Sequence, residues 1–345
     1  MKTVIQDILN LIKGNIPFAV ATILSHSGST PRTAGTKMLI LADGTIRGTI
    51  GGGLVEAQVI KKGQELIGLK KNVLLDFNLN QDLKESLDMI CGGAITVFID
   101  TTAGEQIGLY QKIAQEMGDR KRCMLVSELS GTKDGTLALN QCLITDSFGV
   151  IGKNLVPESF SDDLLKTHFT KNAPVITTFG NRKITYEPIP ATGTVFIFGA
   201  GHVSQKVAEL TALLDLPTVI IDDRKEFANG ERFNRAEGIH VIDDFSDPFG
   251  TLDVTPSSFI IILTRGHLHD QTVLRGALKT PARYIGMIGS KQKRDRIYDN
   301  LMEEGISGTR LKTVYSPIGM EILAETPAEI AVSIVSELIA VKNRK

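Results

Sequence analysis

The sequence has no tryptophan and only 6% aromatic residues, so broad stacking surfaces for sugars or bases are not expected. It has three cysteines, Cys91, Cys123 and Cys142. An odd number with no C-x-x-C pair gives neither a disulfide framework nor a zinc knuckle, and a reducing, cytoplasmic location fits that usage. A charge excess is missing too: Lys+Arg is 38 against Asp+Glu 39, which argues against a nucleic-acid binder. No apolar run reaches the roughly 18 residues of a membrane span. The first 15 residues mix acids and amides into their apolar pattern, which reads as an amphipathic helix and not a signal peptide. What is present is ordinary for a globular protein: 42% hydrophobic and 22% charged residues in a chain of 345, long enough for about two domains.

The first half alternates short elements. Val4, Ile5, Ile8, Leu9 and Ile12 recur at helical spacing up to Gly14. A strand is expected over residues 17–24, then a polar, glycine-rich loop over 25–37 and a hairpin over 38–50 turned by Asp43-Gly44. A helix is expected over 54–69, and strands over 73–77, 94–99 and 123–126. A second hairpin candidate joins residues 136–144 to 149–151. The segment 187–194, with two prolines and a glycine, reads as a connector. Beyond it the pattern is βαβ: apolar strands over 195–198, 218–221, 259–263 and 284–289, with helices from Val203 and over 271–278. Near-continuous apolar strands of this kind indicate a parallel sheet covered on both faces. The fold class is therefore α/β: an N-terminal mixed α+β domain, residues 1–187, a linker over 188–194, and a Rossmann-like doubly wound domain, residues 195–345.

Four motifs carry chemistry. Gly199-Ala200-Gly201-His202-Val203-Ser204 follows a strand and opens a helix, the setting of a dinucleotide fingerprint. Gly201 lets a phosphate approach a helix N-terminus, and Asp222, about 20 residues on, stands where a ribose-binding acid belongs. An NAD(P) or other nucleotide is the expected ligand; the alternative is a scaffold whose glycines serve only the turn. His267, His269 and Asp270 sit at the carboxyl edge of the sheet and either bind a metal with ligands from elsewhere, or cap the next helix and line a pocket. Ser290, Lys291, Lys293 and Arg294 suit an anion, or form a capped helix with a solvated basic face. In the first half, Ser29 and Arg32 lie in a loop rich in hydroxyls and glycine, where Arg32 could fork onto a phosphate. Gly51-Gly52-Gly53 opens a helix with Glu56 in its first turn. Cys91-Gly92-Gly93 precedes a strand; by composition alone Cys91 is a packed small hydrophobe, while its glycine neighbours leave it addressable. Cys123 and Cys142 sit in apolar strand patterns and read as inert core.

Long segments of this chain, 28–39, 48–57, 91–93, 198–203, 220–224, 284–294 and 316–341, resemble the xanthine dehydrogenase accessory proteins, the XdhC/CoxI family, in the family's order. The resemblance implies a cytoplasmic, two-domain maturation factor for a molybdenum hydroxylase of the xanthine dehydrogenase type. Such a factor binds molybdenum cofactor (molybdopterin) and assists its sulfuration and insertion. It also implies a cysteine desulfurase and the apo-hydroxylase as partners, and a homodimer. On this picture Ser29, Arg32, Gly51, Gly52, Gly53, Glu56, Gly92 and Gly93 receive the pterin phosphate or its nucleotide form, and Cys91 handles sulfur, more as carrier than as catalyst. Family members often read T-H-x-H where this chain has Thr264-Arg265-Gly266-His267, which removes one possible ligand from that loop. The apolar stripe Ile330, Ile334, Leu338 and Val341 suits a dimer face, or packs on its own sheet. The rival class is an NAD(P)-dependent oxidoreductase with His267 or His269 as acid/base.

Overall fold

The opening helix α1 (Lys2–Lys13) buries Ile5, Ile8 and Leu9, as their helical spacing predicts, with Val4 and Ile12 packed at the edge; it also buries Leu11, which that spacing leaves out. The structure is a computed structural model that describes residues 2–79, 93–132, 136–157, 162–170, 173–180 and 182–344. The chain divides into two compact units, Met1–Ala191 and Thr192–Lys345.

In the first unit β1 (Phe18–Gly28), β2 (Lys37–Leu41), β3 (Ile46–Gly48), α2 (Gly53–Ile67), β4 (Val73–Asn78) and β5 (Gly93–Asp100) follow α1. The strands form an antiparallel sheet of order β3-β2-β1-β5-β4. Strand β1 is apolar on both faces because both are covered. Ala19, Ala21 and Ile23 pack with α2, while Phe18 and Val20 join the core of α1 and α3 (Ile107–Gly118). The polar residues 25–28, expected in a loop, extend β1 past a bulge at Leu24 by pairing with β5.

A second antiparallel sheet follows from β6 (Cys123–Gly131), β7 (Leu137–Thr145), β8 (Val150–Ile151), helix α4 (Asp162–Thr170), β9 (Val175–Phe179) and β10 (Arg182–Ile189). Its order is β8-β7-β6-β10-β9. Residues 187–189, assigned to the connector with the rest of the proline- and glycine-containing segment 187–194, belong to β10. Glu187 there is buried and meets Lys37 of β2 at 2.9 Å, and the same ammonium donates to Thr22 Oγ1 at 2.9 Å. This pair joins the two sheets.

The second unit starts with β11 (Val195–Phe198), α5 (His202–Leu213), β12 (Thr218–Asp222), β13 (Gly238–Val241) and β14 (Phe259–Ile262). It continues with α6 (His267–Ala277), β15 (Tyr284–Met287), α7 (Lys291–Glu303), α8 (Gly308–Leu311) and α9 (Pro327–Asn343). All five strands are parallel, in the order β13-β12-β11-β14-β15. One face is covered by α5 and α9, the other by α6, α7 and α8, the doubly wound arrangement expected. Ile334, Leu338 and Val341 are buried in this unit's own core, with Ile330 packed against it, so the stripe is not a free face. Helix α6 starts at His267, not after it, which puts both histidines in its first turn.

Removing one partner of a buried ion pair strands the other charge. Lys37→Met should therefore lower unfolding free energy by about 3–5 kcal/mol in a denaturant titration. Cys123 is 1% exposed, and burial, with the Glu116, Glu187 and Asp146 charges, pushes its thiol up to about 12. Cys123→Ser should cost about 1–3 kcal/mol by placing a hydroxyl in that apolar site, read by the same titration.

Candidate functional site: two glycine turns, each held by a carboxylate

In the first unit three segments that are far apart in sequence meet at one end of the first sheet. Gly93 pairs with Gly28, and a Cβ on Gly93 would lie 2.3 Å from Ser27 O and 2.9 Å from Ser29 O. A Cβ on Gly51 would lie 2.7 Å from Pro31 Cβ. Residues 27–32, the Gly51-Gly52-Gly53 turn and Gly93 are thus one constellation. Cys91 and Gly92 lie outside the described residues.

Glu56 organises this turn. Its Oε2 accepts from Thr49 Oγ1 at 2.5 Å, Ile50 N at 3.0 Å and Gly52 N at 3.2 Å. Partial burial pushes its carboxyl up, but these hydrogen bonds outweigh it and hold the group below its ordinary value. Glu56 is committed to the chain's own amides. Ser29 and Arg32 are exposed and make no side-chain hydrogen bond or ion pair among the described residues. Helix α2 has no side-chain cap at Gly52, where a Cβ would meet nothing within 4 Å. One unpaired guanidinium, one free hydroxyl, uncapped amides and open space fit a phosphate-bearing group. Neither described thiol is exposed: Cys123 and Cys142 are both buried in strands.

The second constellation lies at the switch point of the parallel sheet, between the ends of β11 and β14, where open α/β sheets bind ligands. Gly199 has φ 104°, and a Cβ there would lie 2.3 Å from Leu263 O, so the fold itself demands this glycine. Gly201 is different. Its φ is −74°, which any residue adopts, and a Cβ would meet nothing within 4 Å. Neither the backbone nor the packing requires a glycine at 201, which leaves open space at this turn.

Asp222 is 1% exposed. Its Oδ2 accepts from Ala200 N at 2.7 Å and Arg224 Nη2 at 3.0 Å; its Oδ1 accepts from Arg224 N and Nε, both at 2.9 Å. Burial opposes its charge, but these bonds prevail and hold the carboxyl below its ordinary value. With about four acceptor sites on a carboxylate, no lone pair remains for a ribose hydroxyl. Beside it, Arg232 donates to Ala200 O at 3.2 Å and Gln205 Oε1 at 2.9 Å.

Asp270 is fully buried, pushed up by that burial, and accepts from Thr264 Oγ1 at 2.5 Å and from Lys293 Nζ. Gly289 serves this contact, because a Cβ there would strike Lys293 Cδ at 2.7 Å. Ser290 caps α7, accepting from Lys293 N at 3.2 Å, and Lys291 is exposed. The 289–294 segment is thus in large part a helix cap and a latch. His267 is exposed and His269 packs on Phe245 at 5.0 Å between ring centroids. Among the described residues no group of three His, Cys, Asp or Glu is placed to hold a metal. No helix among them is long and apolar enough to cross a membrane.

Sequence reasoning missed Lys293 as the partner of Asp270, and it missed Asp223 and Arg265. Arg265 Nη2 meets Asp223 Oδ2 at 2.7 Å. The doubled acid at 222–223 was the available signal.

The chain thus combines an antiparallel two-sheet unit with a Rossmann unit, each carrying a glycine turn before a helix. A family described as the XdhC Rossmann domain matches residues 195–338, and one described as the XdhC and CoxI family matches residues 11–78. The chain is thus similar to XdhC-type families in both of its units. It is 25% identical over 340 residues to the uncharacterized protein YqeB of Escherichia coli K12, covering 99% of this chain but only 46% of that relative's length. It is 26% identical over 330 residues to a probable xanthine dehydrogenase subunit of Bacillus subtilis 168, covering 94% of this chain and 93% of that one. A crystal structure described as a xanthine dehydrogenase from Bacillus halodurans shares the fold, with TM-score 0.80 and 24% identity over 98% of this chain and 96% of that one.

The two turn glycines separate by experiment. Gly199→Ala should unfold the second unit, since its Cβ has no room. Gly201→Val should melt near the wild type while losing any nucleotide the wild type binds, measured by calorimetry. Equal nucleotide binding by wild type and Gly201→Val would move the phosphate elsewhere.

Proposed function

We propose that this chain is an accessory protein of a xanthine dehydrogenase-type molybdenum hydroxylase, and that it binds molybdenum cofactor and assists its sulfuration and insertion. The two family matches and the name of the Bacillus subtilis relative support the first part. The observation that supports the second is the convergence of residues 27–32, the Gly51-Gly52-Gly53 turn and Gly93 at one end of a sheet. When bound, the cofactor supplies a molybdenum centre whose oxo ligand is exchanged for a sulfido ligand.

The roles of the chain's own residues follow from their chemistry. Arg32 and the uncapped amides at the start of α2 bind the pterin phosphate, and Ser29 adds a hydroxyl. Glu56 keeps the turn in the shape that presents those amides. Gly52 leaves room where a side chain would project. Cys91, two positions from Gly93 in sequence, is the sulfur-handling residue of this reading, with a cysteine desulfurase as sulfur source and the apo-hydroxylase as recipient. A nucleotide at Gly201 belongs to the same reading. So does a homodimer, although the stripe on α9 does not supply its face, being core.

The test is purification from cells that make molybdenum cofactor. The wild type should carry molybdenum and pterin, and Arg32→Ala should carry at least about tenfold less, as expected for loss of a charge-assisted contact. Arg32 is exposed, so the variant should keep wild-type stability to within about 0.5 kcal/mol. Cys91→Ser should retain pterin but fail to activate the partner hydroxylase. Wild-type protein free of pterin and molybdenum would sink the cofactor reading. A Cys91→Ser protein that activates normally would leave that thiol without a role.

A further inference from the structure

The strand order places β11 between β12 and β14. Asp223 immediately follows β12, and Arg265 leaves the end of β14. Their ion pair, 2.7 Å between Arg265 Nη2 and Asp223 Oδ2, therefore joins strands about 10 Å apart. It passes the end of the strand between them, where residues 199–201 turn into α5. Gly201, where a Cβ would meet nothing within 4 Å, lies in that turn.

Two further observations bear on the same pair. Asp222 has every acceptor position filled by Ala200 and Arg224. Asp223 does not: among the described residues its Oδ1 is buried without a hydrogen-bond partner, and its Oδ2 is held only by Arg265. The Arg265 side chain is 53% exposed and the Asp223 side chain 14%, so one partner is free to swing into solvent and the other is fixed. Arg224 Nε lies 3.7 Å from Asp223 Oδ1, too far for a hydrogen bond.

We propose that Asp223, and not Asp222, is the acid that accepts the ribose hydroxyls of a ribonucleoside diphosphate at the Gly199-Ala200-Gly201 turn, and that Arg265 is its resident counter-ion, displaced when the nucleotide enters. The inference rests on the nucleotide reading of that turn. An ionised carboxylate is acceptor-only, and a vicinal diol offers two donors to it. A half-exposed guanidinium makes a weak pair that such a ligand can replace. Asp222 then has another task, fixing the turn through Ala200 N.

The test is calorimetric titration of the full chain with ADP and with 2′-deoxy-ADP. Wild type should prefer ADP by about tenfold or more, the usual size of a hydrogen bond to a charged group. Asp223→Ala should remove most of that preference, because it weakens ADP, which gives the carboxylate two hydroxyls, more than 2′-deoxy-ADP, which gives it one. Arg265→Ala frees the carboxylate and should tighten ADP by up to about fivefold. It also keeps the test readable if Asp223→Ala fails to fold. If Asp223→Ala binds ADP as wild type does while Gly201→Val abolishes binding, the assignment is wrong and the nucleotide turn stands. An Arg265→Ala protein that binds ADP more weakly overturns the counter-ion role. Wild type that binds neither nucleotide ends the reading of the turn and this inference with it.

Discussion

A carboxylate, half-buried at Glu56 and fully buried at Asp222, that takes up the amides of its own chain's glycine turn is the constraint on which both units depend. Backbone N–H groups in a glycine-rich turn have no regular partner, and the chain is floppy there until something fixes it. Glu56 fixes the turn before α2 through Ile50 N and Gly52 N, and Asp222 fixes the turn before α5 through Ala200 N. The two units have unrelated sheets, one antiparallel and one parallel, so the shared device comes from the same physical problem. In each case the acid stands outside the helix it serves or one turn into it, and the helix N-terminus itself is left without a side-chain cap. The turn is rigid and its outward amides are free, the combination an anionic ligand needs.

Glycines in this chain serve three purposes, and geometry separates them where sequence does not. Gly93 and Gly199 are packing glycines, with neighbouring carbonyl oxygens 2.3 Å from where a Cβ would sit. Gly289 makes way for the stem of Lys293 on its path to Asp270. Gly201 serves neither purpose: a Cβ there would meet nothing within 4 Å, so packing does not account for it. The same logic demotes the 289–294 segment as an anion site, since its glycine, serine and second lysine are occupied in capping α7 and holding a buried acid.

The parallel sheet of the second unit was legible because its strands are short, apolar runs separated by helices, and a sheet buried on both faces leaves no other pattern. The first unit was harder. Polar residues at its strand ends, such as 25–28 of β1 and Glu187 of β10, look like loop in isolation. They are strand because ladder pairing and a cross-sheet ion pair satisfy them, and such long-range partners leave no local signal. Individual site residues were read from motif position, and position alone could not distinguish Asp222 from Asp223. Adjacent strand-end residues point to opposite sides, and only coordinates reveal that Arg224 returns to saturate the first while Arg265 crosses to the second.

The two turn-holding carboxylates also set the conditions under which both sites exist. Burial opposes the charge of each, but hydrogen bonds outweigh it and leave both depressed in the folded chain. Glu56 is held by Thr49 and the turn amides, Asp222 by Arg224 and Ala200. A group lowered on folding adds stability that is fully present above its unfolded value and is lost as pH falls through its folded one. At neutral pH both turns are therefore locked. Acidification below the ordinary carboxylate range protonates the acids, frees the amides they hold and loosens both turns. Asp270 is shifted the opposite way, upward by burial, and its hold on Lys293 depends on the ion pair outlasting that burial. The unit that carries the Rossmann turn thus combines one acid stabilised in its charged form with another that burial penalises. The first fixes the ligand's turn, and the second latches β14 and α6 to α7 behind it.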